Sequence, residues 1–165
     1  MADLDLQDLE AKLWKTLEDE RIGMLGLVGE LSSHMQPMTA FCERDLGSIW
    51  FFIRRDNDLV RRLVQGGKAM FNLVSRDRDF WACLTGTVTE QHDGARIDKY
   101  WSPVVSAWFP EGKDDPELTL LRFDADDAEV WRSNKGPIRF ALEIARANLT
   151  DSEPDLGEHA QLHLH

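Results

Sequence analysis

The segment Ser48-Ile49-Trp50-Phe51-Phe52-Ile53-Arg54-Arg55-Asp56-Asn57-Asp58-Leu59-Val60-Arg61-Arg62-Leu63 compresses an apolar strand, a charged turn and a helix start into one short stretch. Its aromatic and β-branched run reads as a strand. Side chains alternate across a strand, so Phe51 and Phe52 take opposite faces, one packing in a core while the other borders a pocket. Arg54 and Arg55 follow as planar, permanently charged donors that match phosphate oxygens. Asp56, Asn57 or Asp58 can cap the next helix, whose first free N–H groups favour an anion. An aromatic wall beside such a turn suits a flavin mononucleotide or another phosphorylated ring. The alternative is a core strand running into a solvated helix.

Charge restricts the partners. The chain carries 30 Asp and Glu against 19 Lys and Arg, a net charge of −11, which repels nucleic acid and anionic membranes. Against that background the arginines at 54, 55, 61 and 62 stand out, although Arg61 and Arg62 fall inside the helix and are expected to be solvated. With 165 residues, a single domain spanning 1–165 is expected, with a polar tail over 150–165. Cys42 and Cys83 lie in strand-like segments without Cys-x-x-Cys spacing and read as buried or free thiols, with one disulfide as the alternative. Residues 1–5 have neither the basic nor the apolar region of a signal peptide, and no apolar run approaches the ~20 residues of a membrane span. The expected location is cytoplasmic.

Leucines 6, 9, 13 and 17 recur at helical spacing and predict an amphipathic helix over 5–20. Strands are expected over 22–28, 35–42, 47–53, 68–75 and 80–91, with a short helix over 57–65 ended by Gly66-Gly67. Asp93 is placed to cap a helix over 94–108. Residues 118–124 and 129–132 read as a closing hairpin, 137–147 as a helix started by Pro137, and 160–165 as a last strand. The fold class is mainly β with peripheral helices (α+β), a small antiparallel barrel.

Other chemistry-bearing residues have structural readings. His159, His163 and His165 alternate with leucines as on an edge strand, without a completed ligand shell. His34 and His92 read as loop residues. Trp50, Trp81, Trp101, Trp108 and Trp131 are expected mainly in the core, with one or two lining a flat-ring pocket. Asp114-Asp115-Pro116 reads as a turn-capping pair. No dinucleotide, Walker, nucleophile-elbow or metal-spaced motif occurs.

Pro37-Met38-Thr39, the aromatic strand, the basic turn and the short helix together resemble the pyridoxamine 5′-phosphate oxidase-like, FMN-binding split-barrel superfamily. Trp101-Ser102-Pro103, Ala107-Trp108-Phe109-Pro110, Asp114-Asp115-Pro116 and Leu120-Leu121-Arg122 resemble its general stress protein 26 branch, as does Glu153-Pro154-Asp155-Leu156-Gly157-Glu158-His159. The resemblance covers residues 5–159. It implies a split antiparallel β-barrel and a homodimer with two flavin sites at the interface, taking FMN or alternatively FAD. Gln36, Pro37, Met38 and Thr39 would lie along the isoalloxazine, and Phe52 and Ile53 beside the ring and ribityl chain. Arg54, Arg55 and Asn57 would reach the phosphate, and Trp108 of a second subunit would cover the ring. The family commonly has Arg, Thr, Ser and Lys where this chain has Gln36, Ile53, Asn57 and Leu59. Losing the lysine leaves Arg54, Arg55 and the helix start to hold the anion, a change of roughly 1–3 kcal/mol.

The function implied is that of a flavin-binding stress protein and FMN-dependent oxidoreductase, with no catalytic residue singled out. The alternative is a non-enzymatic dimeric barrel that uses its pocket for sensing or partner binding, through the first helix and the Trp101–Phe109 segment.

Overall fold

The computed structural model describes residues 5–133 and 136–164. Helix α1 (Leu6–Glu20) is capped by Asp5, whose carboxylate accepts from the Gln7 and Asp8 N–H groups, both at 3.1 Å. It buries Leu9, Leu13, Trp14 and Leu17, the face given by the leucine spacing, and stops at Arg21 in the left-handed region (φ 61°).

Strands β1 (Ile22–Leu27), β2 (Gln36–Thr39), β3 (Phe41–Glu43) and β4 (Ser48–Arg54) lead into helix α2 (Asp58–Arg62). Then come β5 (Gly67–Val74), β6 (Phe80–Gln91), α3 (Gly94–Tyr100), α4 (Pro103–Ser106), β7 (Leu118–Arg132), α5 (Pro137–Thr150) and β8 (Glu158–His163). All strand pairs are antiparallel, in the order β2-β1-β5-β6-β7-β4-β3, with β8 on β7. The two end strands, β2 and β3, are separated in the chain by Ala40 alone, so the sheet curls back on itself. The barrel interior is filled by Leu25, Ile49, Phe51, Phe71, Leu84 and Phe123 among others, under α1.

Several sequence expectations are corrected. The expected hairpin over 118–132 is one continuous strand: residues 118–124 pair with β4 and 127–132 with β8 along the same edge. Ala125 and Asp126 between them mark this exchange of partners, opposite a bulge at Thr85/Gly86. A Cβ on Gly86 would lie 2.1 Å from the Asp124 carbonyl oxygen, so only glycine fits the bulge. The helix over 94–108 is two short helices, because Pro103 lacks an N–H and forces Ser102 to be extended. Ser102 instead caps α4 through Val105 N–H. Helix α2 ends at Arg62 with Leu63 as its C-cap, and Gly67 already belongs to β5. Strand β8 begins at Glu158, and His165 lies outside the described residues. Trp14 and Trp50 are core residues, whereas Trp81, Trp108 and Trp131 are exposed. No helix among the described residues is long and apolar enough to cross a membrane.

Strand β4 is buried on both faces. Ile49, Phe51 and Ile53 enter the barrel, while Trp50 and Phe52 pack outward against Phe41, Val105, Phe109 and Leu120. One ionic cluster ties this outer layer down. Glu43 of β3, its side chain 10 % exposed, accepts from Arg96 at 2.8 and 3.2 Å, Tyr100 at 2.9 Å and Lys99 at 3.3 Å. Arg96 also lies over the Trp50 ring, 4.2 Å from its centroid. The Arg96 hydrogen bonds hold the Glu43 carboxyl at about 2, against an ordinary 4.5. A lowered folded-state value stabilises the fold fully above the ordinary value, and the contribution is lost as pH falls from about 4.5 towards 2. Glu43→Gln is expected to lower Tm by about 3–8 °C at neutral pH. The gap to wild type should close between pH 4.5 and 2 in thermal melts. A gap that stays constant with pH would reject the role of the charge.

Candidate functional site

The barrel is not closed by hydrogen bonds all the way round. Strand β3 covers residues 48–50 of β4, and among the described residues β2 pairs with β1 alone. Residues 51–54 of β4 therefore approach β2 with no ladder bond between them, leaving a seam flanked by Gln36–Thr39 on one side and Phe52–Arg54 on the other. An unpaired strand edge offers backbone donors and acceptors to whatever lies against it.

Asn57 closes one end of the seam. Its side-chain oxygen caps α2 by accepting from Leu59 N–H at 2.9 Å. Gln36 and Asn57 exchange two amide hydrogen bonds, each 3.0 Å, across the seam. Residues read separately from the sequence as a ring contact and a phosphate contact are thus direct partners. The lower-scale consequence is that β2 is fixed to the start of α2.

The two arginines diverge. Arg54 forms a forked pair with Asp56 at 3.2 and 3.3 Å, which raises the pKa of its already permanent charge. Arg55 turns instead to His92, with 3.4 Å between its guanidinium nitrogen and Nδ1. It borders a polar recess of about 380 Å³ with Gln91, Lys113 and Thr119, which Asp93, Asp114 and Asp115 also line. No carboxylate pairs with Arg55 among the described contacts, so its charge is the more available of the two.

Other site residues are placed differently from the sequence expectation. Met38 and Ile53 point into the barrel core, so only their backbone can meet a ligand in the seam. Phe52 is half-buried beneath Trp101 and Phe109, with ring centroids 6.3 and 6.5 Å away. Pro37 is exposed and Thr39 half-buried. Trp108 is 69 % exposed after α4. Asp115 behaves as a turn cap, accepting from Glu117 N–H at 2.9 Å and Glu111 N–H at 3.3 Å. Burial pushes the Cys42 thiol up to about 12, which keeps it from acting as a thiolate.

A second recess, about 590 Å³, was missed in the sequence. Trp81, Trp131 and His159 occupy one row across β6, β7 and β8, and the Trp131 and His159 rings stack at 5.0 Å and 4°. Phe140 and Leu156 complete its wall. Their outward positions follow from strand alternation, but their lateral register depends on the long β7 strand, which the sequence divides at its polar middle.

Residues 8–155 match the family described as pyridoxamine 5′-phosphate oxidase like. The chain belongs to that family. Within this pyridoxamine 5′-phosphate oxidase-like group it is similar to general stress protein 26 of Bacillus subtilis (strain 168), with 24 % identity over 144 residues, covering 84 % of this chain and 100 % of that protein. A Jannaschia sp. CCS1 structure assigned as general stress protein 26 is 36 % identical and superposes with a TM-score of 0.77, covering 95 % of this chain and 99 % of that one. The general stress FMN/FAD binding protein of Xanthomonas citri is 42 % identical with a TM-score of 0.73, covering 79 % and 92 %. The split-barrel fold expected from the sequence is the fold observed.

The Gln36–Asn57 bridge has an energetic signature. Asn57→Ala removes both the cap and the bridge and should cost about 1–2 kcal/mol in urea denaturation. Gln36→Ala should cost less than about 1 kcal/mol, and the double variant less than the sum of the two. Strict additivity would mean the two amides act independently.

Proposed function

We propose that this chain is a flavin-binding protein that holds FMN, or alternatively FAD, in the seam between β2 and β4. The observation that carries this reading is the unpaired β2 edge facing the end of β4, with the Asn57 turn and the two arginines beyond it. The 42 % identical Xanthomonas citri relative, named as an FMN/FAD binding protein, supports it. The donor set suits the cofactor: backbone groups along 36–39 meet the polar rim of a ring system, and the Arg55 guanidinium, on His92, forms no ion pair among the described residues, although Asp93, Asp114 and Asp115 line the recess that it borders. Gln36 and Asn57 fix the spacing between those two ends.

When bound, a flavin supplies one- and two-electron redox chemistry. The chain's own residues bind and orient. Phe52, held by Trp101 and Phe109, keeps the outer side of β4 apolar, and Arg55 neutralises the anion. A homodimer completes the site: Trp108 and the Trp81–Trp131–His159 row are exposed aromatic surfaces from which a second copy can cover the ring. Flavin-dependent oxidoreductase activity, with the protein in the cytoplasm, is the corresponding cellular role. A binding role without turnover is the second reading, favoured by those same exposed surfaces; oxidation of NADH or NADPH by the flavin-loaded protein separates the two.

Titration with FMN and FAD should quench flavin fluorescence, and absence of quenching with both would overturn the proposal. Arg55→Ala should weaken binding by about tenfold or more, and Arg54→Ala by less than about threefold, because Asp56 already occupies that guanidinium. Asp56→Asn should tighten binding by releasing Arg54. Equal losses at Arg54 and Arg55 would contradict the assignment of the anion to Arg55.

A further inference from the structure

A third recess, of about 400 Å³, lies beside the turn from β2 into β3. Phe41, Tyr100 and Trp101 give it an aromatic wall, with the Phe41 and Tyr100 rings 4.9 Å apart. Its charges come from Glu18, Arg21 and Lys99, and they are not equivalent. Lys99 is committed to Glu43 at 3.3 Å. Glu18 sits one turn earlier than Arg21, exposed on α1. Arg21 forms no ion pair among the described residues, and its guanidinium carbon lies over the Phe41 ring, 4.9 Å from the centroid. The ring occupies one flat face of the guanidinium, which leaves the in-plane N–H groups as a fork that a carboxylate fits. The backbone pins this residue in place: Arg21 N–H donates to the Leu17 carbonyl at 3.0 Å, and its own carbonyl accepts from Ala40 N–H at 2.6 Å.

From this arrangement we infer that the recess binds a planar aromatic carboxylate, with the carboxylate in the Arg21 fork and the ring against Tyr100 and Trp101. Glu18 makes both halves of the ligand necessary. A small anion meets Glu18 as well as Arg21 and gains no ring contact, and an uncharged ring leaves the guanidinium without a partner. A volume of about 400 Å³ is at the small end of ligand pockets and suits one or two fused rings. The recess also adjoins the seam. Ala40 borders it directly after Thr39, the last residue of β2, and Phe41 packs edge-on against Phe52 of β4 at 5.5 Å. In the flavin reading, on which this placement rests, the recess lies next to the ring end of the cofactor, opposite the Asn57 turn. An aromatic carboxylate is then the class of substrate presented to the flavin.

Calorimetric titration of the full chain with 2-naphthoate, 2-naphthalenemethanol and acetate tests the inference. 2-Naphthoate should bind about tenfold or more tightly than either of the others. Arg21→Gln should weaken 2-naphthoate binding to the level of the alcohol, with an unchanged circular dichroism spectrum. Should that variant misfold, Arg21→Asn replaces it, because asparagine readily adopts the left-handed backbone found here at φ 61°. Equal affinity for 2-naphthoate and the alcohol in the wild type overturns the inference, as does unchanged 2-naphthoate binding in a folded Arg21 variant. Repeating the titration with FMN separates the two readings. Arg21-dependent binding of 2-naphthoate by a protein that takes no FMN upholds the recess and removes the flavin; FMN binding without 2-naphthoate binding does the reverse. Displacement of FMN by 2-naphthoate would put both in one site and overturn the separate recess.

Discussion

Residues 36–43 pair with β1 before Ala40 and with β4 after it, and this change of partner shapes the rest of the molecule. Ala40 N–H donates to the Arg21 carbonyl at 2.6 Å, so the turn of the strand is held against the C-terminus of α1. Because β3 reaches only as far as Trp50, the second half of β4 lacks a partner on that side. The seam is therefore a consequence of strand lengths: a longer β3 would pair with residues 51–54 and seal the edge. The Gln36–Asn57 bridge crosses that seam through side chains, which fixes its width while leaving the backbone groups unused.

The same strand explains why the outer layer sits where it does. Trp50 and Phe52 face away from the barrel and would be apolar surface in water without α3, α4 and the loop after them. Those helices are short, seven and four residues, and short helices gain little from their own hydrogen bonds. Packing on β4 and the Glu43 cluster supply what they lack. Arg96 serves both, pairing with Glu43 and Asp93 while its planar face covers Trp50. A lysine there would keep the charge and lose the stacked face.

The strand-and-turn order was legible because alternation and capping are local signals. A cap among Asp56, Asn57 and Asp58, the opposite facing of Phe51 and Phe52 and the helical face of α1 all follow from spacing within one element, and the structure puts the cap at Asn57 and the buried ring at Phe51. What the sequence obscured depends on partners far along the chain. β7 looks like a hairpin because Ala125-Asp126-Asp127 is turn-like in composition, yet β6 pairs on both sides of it. Met38 and Ile53 belong to the right segment but point into the core, because the direction of each side chain is set by a register that local pattern leaves open. Arg54 and Arg55 are adjacent in sequence and separate in space for the same reason: successive side chains of an extended chain diverge.

That divergence bears on how an acidic protein holds an anion. With a net charge of −11, nearby carboxylates compete with any phosphate for each guanidinium. Asp56 wins that competition at Arg54, two residues away and in forked geometry. Arg55 contacts His92, which accepts through Nδ1 when neutral and brings no negative charge, so it forms no direct ion pair among the described residues although Asp93, Asp114 and Asp115 line its recess. Under the proposed reading the anion would rest mainly on this one arginine, in a recess that Asp93, Asp114 and Asp115 also line. Affinity would then be more sensitive to that one side chain and to ionic strength, because a single exposed charge is screened more readily than a buried cluster.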